Sequence, residues 1–379
     1  MTDPLIITEL SEFNERLQSM HRQTYDDVVS LYWQIAREFG DGYLPFALIG
    51  GLNWSAEHRH RLYTHDRRAW IKAGPTDDDT SHLRSIVTTH DRLLSAGVRA
   101  EIDPANPSQA REAIQKAITE VTLLADLLAL RFDAPVQWHP ARYLGGFPVA
   151  NPSELENRDV IPASRFPEAM TNTGITDDHV ERQFLPLFSV VSALGDSAFG
   201  LVVRTAISWH AQGFTIQAGL SRYLAYWASV ELLGAFLFDR LPRNITGRKT
   251  KPERRRAITE LLERPVTEDY DCFDLVDDLI ELKQPTVRTK VLVLSHWTGD
   301  RESLERALFA KVDGYSLYKI RNDIAHGNVG AHHHDFLEVV RRRLDEMKSI
   351  SRSIIINVLR HSAEISSLLE SVPGERGGR

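Results

Sequence analysis

Cysteine is almost missing: Cys272 is the only one in 379 residues. A lone thiol forms no internal disulfide and excludes a zinc site built on several thiolates. Long apolar runs are missing too. The nearest approaches, Phe184–Leu194 and Leu224–Phe238, are interrupted by polar or charged residues such as Ser189 and Glu231. Neither reaches the roughly 20 residues of a membrane span. The opening Met-Thr-Asp-Pro-Leu shows neither the basic start nor the apolar stretch of a secretory leader. A cytoplasmic protein that makes no membrane contact is expected, with Asn244-Ile245-Thr246 as a plain loop.

Several chemical motifs are absent as well. There is no Gly-x-x-x-x-Gly-Lys-Ser/Thr phosphate loop, no Gly-x-Gly-x-x-Gly and no His-Glu-x-x-His. Gly195-Asp196-Ser197-Ala198-Phe199-Gly200 has the wrong spacing for a nucleophile elbow. It reads as a turn between helices, capped by Asp196 or Ser197. ATPase, dehydrogenase, zincin and serine hydrolase chemistry are therefore not the leading expectations, and no cofactor or metal is expected.

The remaining composition is ordinary for a globular chain: 42% hydrophobic and 26% charged residues. The length suits two domains. A net charge of −7 argues against nonspecific clinging of the whole molecule to nucleic acid. A local basic groove remains compatible with it.

The pattern along the chain predicts a mainly α fold. Ile7 to about Phe39 reads as a helix stopped by Gly40-Asp41-Gly42. Tyr43–Leu52 reads as a short strand. Asp77-Asp78-Asp79-Thr80 caps an expected helix to Ala96. Ser108 caps another to about Arg131, with Ile114, Ile118, Val121, Leu124 and Leu128 on one face. The Arg- and His-rich stretch from His58 to Arg68 reads as an exposed helix face or a phosphate-binding face. Trp54, Trp70 and Trp138 are open between core and ligand contact.

Prolines crowd residues 134–175, so that stretch is expected to be irregular and to close a mostly helical N-terminal region, 1–175, with a sensing or regulatory role. From 176 to 370 helix follows helix: His179–Leu194, Ser197–Ala211, Thr215–Phe238, Glu253–Arg264, Asp271–Leu282, Thr286–Trp297, Arg301–Ala325, and a long one from Asp335 to about Leu369. Residues 371–379 are expected to be a disordered tail.

Chemistry concentrates in Tyr315-Ser316-Leu317-Tyr318-Lys319-Ile320-Arg321-Asn322-Asp323-Ile324-Ala325-His326-Gly327. Leu317, Ile320 and Ile324 form an apolar stripe at helical spacing. Gly327 suits the left-handed residue that ends a helix. His326 then lies in the last turn, where the helix dipole favours the imidazolium and a proton-transfer role near neutral pH. Asn322, four residues earlier, is on the same face and within reach of the ring. Arg321 lies about 140° around a regular helix from His326. A distorted last turn or a second copy of the helix would bring the two together, and a symmetric dimer supplies that copy.

An Arg and a His without metal suit RNA cleavage. His326 would exchange protons with the 2′-hydroxyl or the leaving 5′-oxygen, and Arg321 would hold the phosphate. The alternative is a helix end with a capping His and an Arg in a surface ion pair.

Read with its flanks, Arg321-Asn322-Asp323-Ile324-Ala325-His326-Gly327 resembles the Arg-x-x-x-x-His motif of the HEPN superfamily, particularly its Apea-like branch. Tyr223–Leu233 is similar to that family's first helix, and the long final helix fits its last. The likeness covers roughly residues 214–369 and none of the N-terminal half. It implies a helical bundle that dimerises through the motif helices. It also implies metal-independent endoribonuclease activity, often in antiviral defence or toxin–antitoxin systems, with RNA and an antitoxin or regulatory partner as partners. Arg321 and His326 map onto the catalytic pair and Asn322 onto its polar companion. Some members are noncatalytic RNA- or protein-binding modules.

Other residues support this site or have plainer readings. Glu231 interrupts an apolar helix; it is either a partner that orients Arg321 or a residue at the helix edge. Asp323 is a second supporting carboxylate. Arg243, Arg248, Lys249 and Lys319 are candidate RNA-binding cations, within a basic stretch that also reads as a solvated loop. His332-His333-His334-Asp335 reads as a polar loop with Asp335 capping the last helix rather than a metal site.

Overall fold

The computed structural model describes residues 42–50, 52–54, 60–63, 68–73, 93–100, 106–140, 173–216, 219–263, 275–276, 279, 285–327 and 333–371. Helices predominate, and the fold is mainly α. The expected helix at 7–39, most of the Pro-rich stretch, most of the helix at 271–282 and the tail from 372 lie outside the described residues. By their contacts the residues form two units. One comprises Met1–Ala193 with Phe214–Gln217, the other Leu194–Gly213 with Ala218–Arg379.

The first unit corrects the expectation of a mostly helical N-terminal region. Its described elements include β1 (Gly42–Gly50), β2 (Leu52–Trp54), β3 (His60–Tyr63), β4 (Arg68–Ala73), β5 (Leu93–Ala100), α1 (Pro107–Phe132), β6 (Val136–Pro140) and β7 (Thr173–Ile175). Five strands form one antiparallel sheet in the order β3-β4-β5-β1-β6. Leu48 of β1 pairs with Leu94 of β5 and with Trp138 of β6, while β2 runs parallel to β7.

The strand expected over 43–52 is therefore present in β1. The last four residues of the helix expected to end at Ala96 lie in β5, and its earlier residues are outside the described ones; the stretch expected as a helix face contributes to the β3–β4 hairpin. Short mixed runs do not distinguish strand from helix by periodicity, and partners distant in sequence decide. The side chains of Trp54 and Trp70 lie outside the described residues. Trp138 is placed: its indole N–H donates to Thr122 Oγ1 at 2.8 Å and ties β6 to α1.

Helix α1 forms where expected, although Ser108 falls inside its first turn and is not the cap. Asn106 caps it by accepting from the Gln109 backbone N–H, Pro107 occupies its first turn, and Asp133 ends it in the left-handed conformation at φ 54°. Its buried face includes Ile114, Ile118, Val121, Leu124 and Leu128. Next come α2 (Asp177–His179), a π-helical turn (Val180–Phe184) and α3 (Leu185–Leu194). Phe184 stacks on Phe132 with centroids 6.5 Å apart, and Arg131 donates to Gln183 at 2.6 Å. These ties place residues 177–193 with the first unit, so the boundary falls after 193 rather than after 175.

The second unit contains α4 (Ala198–Thr215) as far as Gly213, α5 (Gly219–Arg240), α6 (Arg243–Thr246), α7 (Lys251–Leu262), α8 (Val287–Leu292), α9 (Ser295–Thr298), α10 (Arg301–Phe309), α11 (Leu317–Ala325), α12 (His333–Arg360) and α13 (Ser362–Ser371). Gly195 turns the chain at φ 54°, and Ser197 Oγ accepts from the Gly200 N–H, so Ser197 is the cap.

Helix α5 is the centre of this unit and packs on α8, α11 and α12. Its buried face carries Tyr223, Tyr226, Trp227, Val230, Leu233 and Leu237. Buried residues of those partner helices include Val291, Leu317, Ile320, Met347, Ile355 and Val358. Each such large apolar side chain contributes on the order of 1.5–3 kcal/mol when fully buried. Gly234 permits the crossing with α8, because a Cβ there would lie 2.8 Å from Val291 Cα.

The single helix expected over 301–325 is two helices. Asp313 and Gly314 adopt φ 53° and 82°, and Val312 pairs with Tyr315 across them. This Asp-Gly turn ends the α10 segment and lets α11 start afresh. The last long helix likewise divides into α12 and α13. Helix α12 begins at His333, so Asp335 lies in its first turn rather than capping it.

Candidate functional site

The site is built on α11, which is short and held from three directions. Ser316 caps its start, accepting from the Lys319 N–H at 3.0 Å. Leu317 and Ile320 are fully buried. The Tyr223 hydroxyl of α5 donates to Leu317 O at 2.7 Å, and Arg343 of α12 donates to Tyr315 O at 3.1 Å. Burial pushes the Tyr223 phenol far above its ordinary pKa, so it acts as a permanent donor. These bonds satisfy the chain just before and at the start of the helix, and so fix the direction of its far end.

Midway along the helix Arg321 is clamped. Its Nε and Nη2 reach Glu231 Oε2 at 3.2 and 2.9 Å, and Nη2 reaches Oε1 at 3.0 Å. Its Nη1 donates to Asn322 Oδ1 at 3.1 Å. The Trp227 indole N–H donates to Glu231 Oε2 at 3.0 Å from one turn earlier on α5. The Arg321 and Glu231 side chains are 21% and 29% exposed. The carboxylate is thus held by two donors, and the guanidinium plane is set by a fork-to-fork pair. A guanidinium has five N–H donors, so the contacts made among the described residues leave an Nη1 N–H for an incoming acceptor.

His326 is the cap residue of α11, with φ −99° and ψ 4°, and its backbone N–H donates to Asn322 O. Its side chain is exposed. Gly327 follows in the left-handed conformation at φ 66°, as the sequence predicts. Asn322, expected to orient the His326 ring, instead turns its amide oxygen to Arg321. Among the described residues no hydrogen bond joins the His326 ring to Asn322 or to Arg321. Nearly 140° of helical rotation separates residues five apart, which keeps the two groups from converging within one chain.

The other expected residues are dispersed. Asp323 pairs with Lys319 at 3.2 Å along α11, and the Lys319 ammonium lies 5.5 Å from the Tyr315 ring centroid. Arg248 is committed to structure: it donates to Asp239 O and Leu241 O, both at 2.8 Å, and so closes the end of α5. Arg243 and Lys249 are exposed. The sequence reading missed Tyr223 and Trp227 as positioning groups. The four-residue step from Trp227 to Glu231 was the available signal, because it puts both on one helix face.

Among the described residues no group of three or more His, Cys, Asp and Glu could hold a metal ion, and no helix is long and apolar enough to cross a membrane. No protein-family model, curated protein or solved structure matches this chain.

Proposed function

We propose that this protein is a metal-independent endoribonuclease of HEPN type. One observation carries the reading: Arg321 is pre-aimed by Glu231 and Asn322 in the middle of the same short helix whose end presents the exposed His326. Such orientation lowers the reorganisation needed when charge develops on a phosphate. In the reaction the 2′-oxygen attacks phosphorus as its proton leaves, the P–O5′ bond breaks, and the 5′-oxygen is protonated. His326 serves one of these proton transfers, and Arg321 binds a nonbridging oxygen. The products are a 2′,3′-cyclic phosphate and a 5′-hydroxyl. The angular separation of the two residues calls for a homodimer, in which His326 of one copy approaches Arg321 of the other. A cytoplasmic role in prokaryotic defence, under a regulatory or antitoxin partner, fits this chemistry.

A second reading is a noncatalytic RNA- or protein-binding module of the same family. What favours it is the occupancy of Arg321: Nε, Nη1 and Nη2 all have partners inside the chain. Labelled RNA incubated with the protein in EDTA separates the two. Cleavage by the unaltered chain that leaves cyclic phosphate ends, and is abolished in Arg321→Ala and His326→Ala, supports the nuclease. Inert RNA with all three folded proteins sinks it and leaves the module.

A further inference from the structure

An aromatic path runs away from the Arg321 clamp. Trp227, which holds Glu231, has its ring 5.9 Å from that of Tyr318, and Tyr318 meets Phe309 edge-on at 5.3 Å. Tyr318 stands three residues before Arg321 on α11, so both belong to neighbouring positions of one face. Phe309 ends α10 and borders a surface cleft of about 350 Å³ between α8 and α10, lined by Arg288, Glu302, Glu305, Arg306, Phe309 and Ala310. The Arg288 guanidinium lies over Phe309, 5.1 Å from the ring centroid, and is held by an ion pair with Glu305. Glu302 accepts no hydrogen bond at its side chain from any described residue.

These features match the demands of an unpaired base. A guanidinium already layered on an aromatic ring offers a flat, oriented stacking surface. A carboxylate at the rim accepts hydrogen bonds, so it favours a base edge rich in donors. Guanine offers two adjacent donors, N1–H and the 2-amino group, where uracil offers only one imide N–H. Arg306 supplies a cation for the neighbouring phosphate. The volume lies at the small end of ligand pockets, near the roughly 300 Å³ lower bound.

We infer that the α8–α10 cleft is a subsite for a single unpaired guanine, stacked on Arg288 and read by Glu302, and linked to the Arg321 clamp by the rings of Phe309, Tyr318 and Trp227. This rests on the nuclease reading for its setting, but the cleft is testable without cleavage. Full-length His326→Ala protein would be titrated into fluorescently labelled ten-residue RNAs, one all-uridine and one with a single central guanosine, and anisotropy followed. About five-fold or tighter binding of the guanosine RNA is expected. Glu302→Gln should remove that preference while leaving all-uridine binding unchanged, and Arg288→Ala should weaken the guanosine RNA most. Equal affinities, or a preference that survives Glu302→Gln, would overturn the inference.

If neither RNA binds, guanosine monophosphate at millimolar concentration, read by saturation-transfer NMR, isolates the cleft. A signal lost in Glu302→Gln keeps the guanine subsite although the RNase reading has failed. No signal ends both.

Discussion

The Glu231–Arg321 pair yields the sharpest test of the architecture. Glu231→Ala removes both oxygens that hold Arg321 and the acceptor of the Trp227 indole. Removing one partner of a fully buried ion pair costs about 3–5 kcal/mol, whereas exposed pairs contribute about 0–1 kcal/mol. With exposures of 21% and 29%, solvent screening removes part of the buried value, and a loss of about 2 kcal/mol follows. For a folding unit of this size that corresponds to a fall in Tm of roughly 4–8 °C. Urea denaturation of the unaltered chain, Glu231→Ala, Arg321→Ala and the double variant closes a thermodynamic cycle. A coupling of about 1–2 kcal/mol is expected. Simple additivity, within about 0.3 kcal/mol, would refute the view that Glu231 and Arg321 act as one unit.

Other expectations follow from the same packing. His210 is fully buried against Ser351, with its Nδ1 2.8 Å from Ser351 Oγ; burial first, then the nearby Arg352 and Lys348, lowers its pKa from 6.5 to about 3. The unfolded chain therefore binds the proton more readily between those values. Stability, full above about pH 6.5, should decline toward pH 3 by up to about 1.4 kcal/mol per pH unit, and His210→Gln should flatten that part of a urea-midpoint profile.

Gly234→Ala should destabilise by about 1–3 kcal/mol in denaturant unfolding, since its Cβ would meet the α8 backbone at 2.8–2.9 Å; an unchanged midpoint would show that the helices can separate freely. Ser316→Ala should lose about 1 kcal/mol through the missing cap and raise amide exchange at Lys319, while Ser316→Asp should restore most of it. Arg248→Ala should lower stability and leave RNA affinity unchanged; a large affinity loss would instead return Arg248 to the binding surface.

The motif helix shows how far local information reaches. Ser316, the apolar pair Leu317 and Ile320, and Gly327 mark its start, buried side and stop within twelve residues, and each does in the structure what its chemistry suggests. Around α1 the expected start was Ser108, whereas the Asn106 cap and Pro107 open the helix two residues earlier. The break at Asp313-Gly314 was also written locally, but strong apolar periodicity on both sides masked it. The neighbours of Arg321 were harder to read. Asn322 is adjacent and Glu231 is 90 residues away, yet both bind the same guanidinium.

What the sequence determined alone was the mainly helical character, the stop of the motif helix at Gly327 and the position of the Arg–His motif, because helical hydrogen bonds and caps join residues three or four apart. Only the tertiary structure decided the five-stranded sheet, the grouping of residues 177–193 with the first unit, the turning of Asn322 toward Arg321 and the clamp by Glu231. Strand pairing, ring stacking and ion pairs join groups far apart along the chain. Their partners are selected by which surfaces meet once the helices have packed, and no local pattern encodes that choice.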